Sequence, residues 1–323
     1  MNGVIIIDKP AGWTSHDVVN RMRRILGQRS VGHLGTLDPL ATGVLPLVTG
    51  SLTRLAQFYN ASEKTYEGTI RFGFATDTYD ADGEAVGPVS SVSPTLGDLE
   101  TLAAKFRGLI EQVPPPFSAK KIHGVPAYKL ARKQKEVILQ PVQIEIKEFA
   151  ITGVEADRAH FRARVPSGTY MRSIAHEMGQ RLGCGAHLES LRRASVAEFD
   201  LAQAHTIDEI ENLRLDPTKS EICHSDRSIA SPQGKGCAVE EPAVSSTTTL
   251  ASLFIHPRQL LPQFPSVTAD EPTAARIRSG RPINLPELSR ARQVKVFAGQ
   301  TELLAIATRV AGTLFHPKIV FAQ

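Results

Sequence analysis

The chain is predicted to be an α+β protein built on a mainly antiparallel mixed sheet, with a small β-rich domain at its C-terminal end. Strand-like segments outnumber helical ones and neighbour each other in hairpin order, which argues against a doubly wound sheet. Lys64 to Phe72 alternates, with Tyr66, Gly68, Ile70 and Phe72 on one face and Thr65, Glu67, Thr69 and Arg71 on the other, the pattern of a half-buried strand. From 216 to 250 there is no aromatic residue, and Ser, Thr, Gly, Pro and charged residues dominate. Such a segment has too little apolar surface to offset the entropy of ordering it. Residues 1–215 are therefore expected to form one domain, 216–250 a low-complexity insert or linker, and 251–323 a second domain.

Val4 to Ile7 is a short buried-strand candidate. Thr14 and Asp17 have the spacing of a capping box, and Val18, Val19, Met22, Ile25 and Leu26 fall on one helical face that Gly27 is placed to end. Val44 to Val48 reads as a strand, with Pro46 suggesting an edge or a bulge. Ser51 starts a short helix through Phe58. Asp77, Asp80, Asp82 and Gly83 lack the distal Glu of an EF-hand and read as a polar hairpin turn. Leu96 to Leu109 is a helix candidate, broken by Pro114-Pro115-Pro116. Strands are expected at Val142 to Phe149, Ala159 to Val165 and Leu188 to Arg192, with a helix from about Tyr170 to Leu182. In the last domain, Gln293 to Phe297, Leu303 to Ala307 and Ile319 to Phe321 are strand-like.

The 323 residues carry a net charge of +4, and the isoelectric point is near 9.0. This tolerates a nucleic-acid partner without requiring one. The local clusters say more: Arg21, Arg23, Arg24 and Arg29; then Lys120, Lys121, Lys129, Arg132, Lys133 and Lys135; then Arg192 with Arg193. Several basic runs flanking one loop favour a phosphate-binding surface over a merely solvated face. Three cysteines do not make a disulfide framework. Cys223, His224 and Cys237 lack paired zinc-ligand spacing, and Cys184 with His187 reads as packing. The apolar run at the N-terminus is too short for a signal-peptide core or a membrane span, so no membrane association and a cytoplasmic location are expected.

The most specific stretch is Gly32-His33-Leu34-Gly35-Thr36-Leu37-Asp38-Pro39-Leu40-Ala41-Thr42-Gly43. It presents one carboxylate, Asp38, from a loop punctuated by three glycines and a proline, residues that fix unusual backbone conformations. A buried carboxylate stays ionised only beside an opposite charge, and Arg172, after Gly168-Thr169-Tyr170-Met171, can engage one through two parallel hydrogen bonds.

These segments resemble the TruB family of tRNA pseudouridine synthases. The likeness runs from residue 3 to about 210, through Gly3 to Gly12, Gly32 to Leu45, Lys64 to Gly68, Thr76 to Gly83, Ser118 to Lys121, Gly168 to Arg172 and Gly183 to Arg193, in the family's order. Leu34 and Thr36 vary within the main motif, and Lys120 and His123 depart from the lysine loop. The resemblance implies a pseudouridine-synthase fold and isomerisation of the T-loop uridine of tRNA, position 55. Asp38 is then the nucleophile on a flipped-out base, Arg172 its charge partner, and Tyr66 a stacking residue or proton acceptor. It also implies that Tyr170 and Leu191 line the pocket, that His33 fills the gap left by the extruded base, and that Lys9 and Lys121 serve in RNA contact or pocket support. No cofactor or metal is implied, because nothing is oxidised and no group is transferred. The last domain resembles a PUA fold in length and placement. A compact chain without long basic tails fits the single-chain members, monomers that need neither guide RNA nor protein partner. A tRNA-binding folding chaperone using the same surface is the competing reading, and a base-excising hydrolase is a third.

Overall fold

A computed structural model describes residues 1–118, 120–122, 124–131, 133, 139–215, 249–287 and 289–321. The main sheet runs in the order Glu148–Glu155, Arg158–Val165, Lys64–Phe72, Ala186–Val196, Thr42–Thr49, Gly3–Lys9, Ala204–His205. Its pairings are antiparallel except between Arg192-Arg193 and Thr42-Gly43, and between Gly3–Lys9 and Ala204–His205. The expected mixed, mainly antiparallel sheet is therefore present.

Val4 to Ile7 reads as an unbroken apolar run because both sheet faces are covered. Ile5 and Ile7 point into the core beneath the helices Ser15–Leu26, Leu96–Ala104 and Met171–Leu182, with Leu45 and Leu47 beside them. Val4, Ile6, Val44 and Val48 point the other way, into a core shared with Leu260, Phe297, Ile306 and Phe321. The segment after 249 begins by adding Phe254–Ile255 to the first sheet beside Gly3–Lys9, and only then builds a second, five-stranded sheet from Ser266 onward. That sheet packs its own core around Val267, Ile277, Val296 and Phe315, under the helix Glu271–Arg278.

The helix Ser15–Leu26 has the expected ends. Thr14 and Asp17 form the reciprocal capping box, and Gly27 closes it in the left-handed region at φ 62°. Three expectations need correction. Pro46 is on neither an edge nor a bulge: it pairs with Ile6 in an inner strand, and its carbonyl accepts from Leu34 N on the other side. Its missing N–H faces that same side, where the short strand Val31–His33 ends, so no ladder bond to Gly3–Lys9 is lost. The helix from Leu96 stops at Ala104, and Gly108, at φ 80°, turns the chain into the strand Gly108–Gln112. Val142 to Phe149 is not one strand: Val142–Ile146 pairs with Gly108–Gln112, and Glu148–Glu155 forms the edge of the main sheet. The insert at 216–248, with Cys223, His224 and Cys237, lies outside the described residues, as do Arg132, Lys135 and His123.

Candidate active site

Asp38 sits in an irregular loop between the strands Val31–His33 and Thr42–Thr49. Leu34, Leu37 and Ala41 are buried and anchor it. Its backbone carbonyls are held one after another by different parts of the molecule. Arg193 donates to Gly35 O and Thr36 O at 3.1 Å each, and to Val44 O at 2.8 Å. The Ser15 hydroxyl donates to Leu37 O at 3.0 Å and accepts from Leu37 N at 2.8 Å. Gly12 N donates to Pro39 O at 2.8 Å, and the Lys9 ammonium reaches the same oxygen at 3.3 Å. A loop with so few free carbonyls presents one side chain in one place. Gly43, where the loop enters the sheet, could carry no side chain, because a Cβ there would lie 2.3 Å from Arg193 O and its φ is 99°.

The Asp38 carboxylate lies at the edge of a cavity of about 240 Å³, walled by Lys64, Tyr66, Ser118, Tyr170 and Leu191. Its side chain is 39% exposed, whereas Arg172 beside it is 7% exposed. Arg172 Nε is 2.9 Å from Asp38 Oδ2, so the structure joins the two residues that the motifs paired. The expected two parallel bonds to one carboxylate do not form. Nη1 donates to Thr78 O at 3.2 Å and lies 3.5 Å from Asp80 Oδ2, while Nη2 donates to Phe117 O at 3.1 Å. The guanidinium thus ties the hairpin at 75–86, the segment after the triple proline and the Asp38 loop together. Asp80 is the residue that sequence reading missed. Among Asp77, Asp80 and Asp82 it alone is buried, and burial lifts its carboxyl above the usual range against the Thr78 hydroxyl and the Arg172 charge.

Tyr66 and Leu191 are buried in the cavity wall, from adjacent strands paired through Gly68 and Leu191. Tyr170 caps the start of the helix Met171–Leu182 across the cavity, and burial raises its hydroxyl. His33 stands apart from this cavity at the end of its short strand, partly exposed, with Nδ1 accepting from Gly35 N at 3.3 Å. Burial, then the Arg193 charge, keep its pKa low, so the ring is neutral near pH 7.

The basic clusters divide. Lys9, expected in RNA contact or pocket support, is fully buried and gives its ammonium to Pro10 O, Trp13 O and Pro39 O at 2.8, 2.5 and 3.3 Å. It supports the loop and has no surface from which to meet RNA. Arg193, counted as half of a phosphate-binding pair, is 0% exposed and equally occupied. No pattern in the sequence separates it from Arg192, which is half-exposed and pairs with Asp8 at 2.7 Å. Arg21 pairs with Glu211, leaving Arg24 and Arg29 exposed from the first cluster. Lys121 is exposed on a two-residue strand paired with Val125–Pro126, and does not wall the cavity.

The site thus sets a carboxylate from a loop of the mixed sheet against a buried guanidinium at the edge of a small cavity walled in part by Tyr66 and Tyr170. Solved structures agree at the level of fold. An H/ACA RNP bound to a substrate RNA containing 2′-deoxyuridine matches with a TM-score of 0.67 at 21% identity, over 99% of this chain and 85% of that one. A Cbf5-Nop10-Gar1 complex matches at 0.66 and 22%, with the same coverage. The TruB family pseudouridylate synthase N-terminal domain profile matches residues 23–171, and the tRNA pseudouridylate synthase B C-terminal domain profile matches 172–224. The tRNA pseudouridine synthase B of Solibacter usitatus (strain Ellin6076) is 46% identical over 323 residues, 99% of this chain and 100% of that protein. That of Opitutus terrae (strain DSM 11246 / JCM 15787 / PB90-1) is 46% identical over 215 residues, 67% of this chain and 89% of that protein. The chain belongs to the TruB family.

Proposed function

We propose that this protein isomerises the T-loop uridine of tRNA, position 55, to pseudouridine, with Asp38 as the nucleophile on a flipped-out base. The observation that carries the reading is the ion pair at 2.9 Å between Asp38 and the buried Arg172 at the edge of the cavity. The ion pair holds the Asp38 carboxylate in place, and a carboxylate oxygen is a competent nucleophile. The clamped loop carbonyls fix where that oxygen stands, so approach to C1′ needs little rearrangement. The base must leave its stack to reach Asp38, at a cost of a few kcal/mol. Tyr66 stacks on the extruded ring or takes the ribose 2′ proton, and Tyr170 and Leu191 close the cavity around it. His33, neutral and flat, occupies the vacated position in the RNA. Lys9 acts through the loop it braces, and Lys121 contacts RNA from outside the cavity.

The reaction moves one bond from nitrogen to carbon with no change in composition, so it draws on no cofactor. The protein acts in the cytoplasm on free tRNA, as a monomer without guide RNA or protein partner, and residues 251–323 serve as a PUA-like RNA-binding domain beside a catalytic domain at 1–215, joined through the 216–250 insert. Among the described residues no helix is long and apolar enough to cross a membrane. A folding chaperone has no use for a carboxylate paired at a cavity edge and is not favoured.

The test is to incubate purified protein with unmodified tRNA, without metal, nucleotide or guide RNA, and to map pseudouridine by carbodiimide-dependent reverse-transcription stops. A stop at position 55 is expected with the wild-type chain and none with Asp38→Asn. Pseudouridine formation by an Asp38→Ala chain would sink the reading, and an abasic site in place of the isomer would identify a hydrolase.

A further inference from the structure

Four buried cationic side chains stand at the Asp38 loop or the cavity it borders among the described residues, and three are fully engaged. Lys9 holds three carbonyls, Arg193 holds three, and Arg172 holds Asp38, Asp80 and two carbonyls. Lys64 differs. It is 6% exposed, walls the same cavity as Asp38, and its ammonium has one partner among the described residues, Ser62 O at 3.2 Å. An ammonium has three protons to donate, so two remain available. Its stem passes close over Gly35, where a Cβ would lie 3.3 Å from Lys64 Cε. Burial and the Arg193 charge lower Lys64 to about 8, which still leaves it mostly protonated at neutral pH. The cavity also holds the Thr169 hydroxyl, buried without a hydrogen-bond partner among the described residues. Buried polar groups left in this state are ready for a polar guest.

We propose that Lys64 is a further catalytic residue, whose ammonium donates to the uracil ring while the ring is detached from ribose. The inference rests on the Asp38 reading above. The C1′–N1 bond breaks either by attack of an Asp38 oxygen on C1′ or by loss of the ribose 2′ proton to a base. In both routes its electron pair leaves with the ring, and uracil becomes an anion with its charge spread over N1, O2 and O4. When C5 bonds to C1′, the Asp38–C1′ bond breaks in the first route and the base returns its proton to C2′ in the second, and in both the proton lost from C5 balances the one that N1 regains. Lys64 forms no covalent bond and keeps its proton throughout. It meets a charge that exists after bond cleavage and not before, so its contribution falls on turnover more than on binding.

The experiment compares wild type, Lys64→Met and Lys64→Arg on unmodified tRNA, measuring the single-turnover rate at saturating enzyme and the tRNA dissociation constant separately. Lys64→Met is expected to slow turnover by about 10- to 100-fold, with tRNA affinity changed by less than about 3-fold, and Lys64→Arg to recover most of the loss. A second comparison cancels any misfolded fraction. On tRNA carrying 5-fluorouridine at the target, whose ring leaves as a weaker base, the ratio of wild-type to Lys64→Met rates, read as loss of the starting nucleoside, should shrink several-fold. An unchanged ratio, a Lys64→Met chain as fast as wild type, or a loss confined to tRNA affinity would each overturn the proposal. Those results leave the Asp38 reading standing so long as wild type forms pseudouridine and Asp38→Asn does not.

Discussion

The Asp38 loop and the segment entering the C-terminal sheet are built with the same device and put it to different use. In each, a buried lysine on a strand donates its ammonium to carbonyls of a neighbouring irregular segment. Lys9 holds Pro10, Trp13 and Pro39; Lys295 holds Arg258 O at 2.8 Å and Leu260 O at 2.6 Å. Burial lowers the pKa of both. Around Lys295 the fixed segment places Leu260 and Leu261 in the core between the two sheets, so the cation acts only on packing. Around Lys9 the fixed segment carries a half-exposed carboxylate at the edge of a cavity. The same bond stabilises a fold in one place and aims a reactive group in the other.

Five substitutions separate these uses, beginning with the largest effect. Arg172→Met should lower the single-turnover rate of pseudouridine formation by at least about 1000-fold, because it removes the charge partner of Asp38 and leaves Asp80 buried beside no cation. Calorimetry should find it less stable by about 3 kcal/mol as well. Lys9→Met takes the ammonium from Pro10 O and Trp13 O and leaves Pro39 O with Gly12 N alone, and should cost about 3 kcal/mol of stability, with a further slowing of about 10-fold at a temperature where the variant is folded. Lys295→Met should show a similar melting shift and an unchanged rate; equal slowing of the two variants would erase the contrast. Gly312→Ala, at φ 48° with open space around it, should cost about 1 kcal/mol in the melt and nothing in turnover. Thr14→Ala, which removes the cap of the helix whose Ser15 grips Leu37, should cost about 1 kcal/mol with a rate change under about 3-fold.

Much of the architecture was legible because local rules agreed with the fold. The capping box at Thr14 and the left-handed stop at Gly27 appear where the residues place them, and Lys64 to Phe72 is a strand that buries Tyr66, Ile70 and Phe72 on one face, though Thr65 and Thr69 are buried on the other. The apolar period from Leu96 continues through Phe106 and overextends the expected helix, which stops at Ala104 before Gly108 turns the chain into the next strand. Pro46 misled because the rule against proline in inner strands concerns the donor it lacks, and the side that donor would face depends on a neighbouring strand 13 to 15 residues upstream.

The sequence by itself determined that a carboxylate is carried by a glycine-punctuated loop, that an arginine follows a tight turn, and that both belong to one recognisable order of motifs. Chemistry of that kind is written in residue type and spacing. Which cations border the cavity and which brace the chain is settled by tertiary packing. Arg192 and Arg193 are adjacent and identical in type, yet one meets Asp8 near the surface and the other is buried against Gly35, Thr36 and Val44. Successive residues of a strand point to opposite faces, and what waits on each face is set by segments more than a hundred residues away.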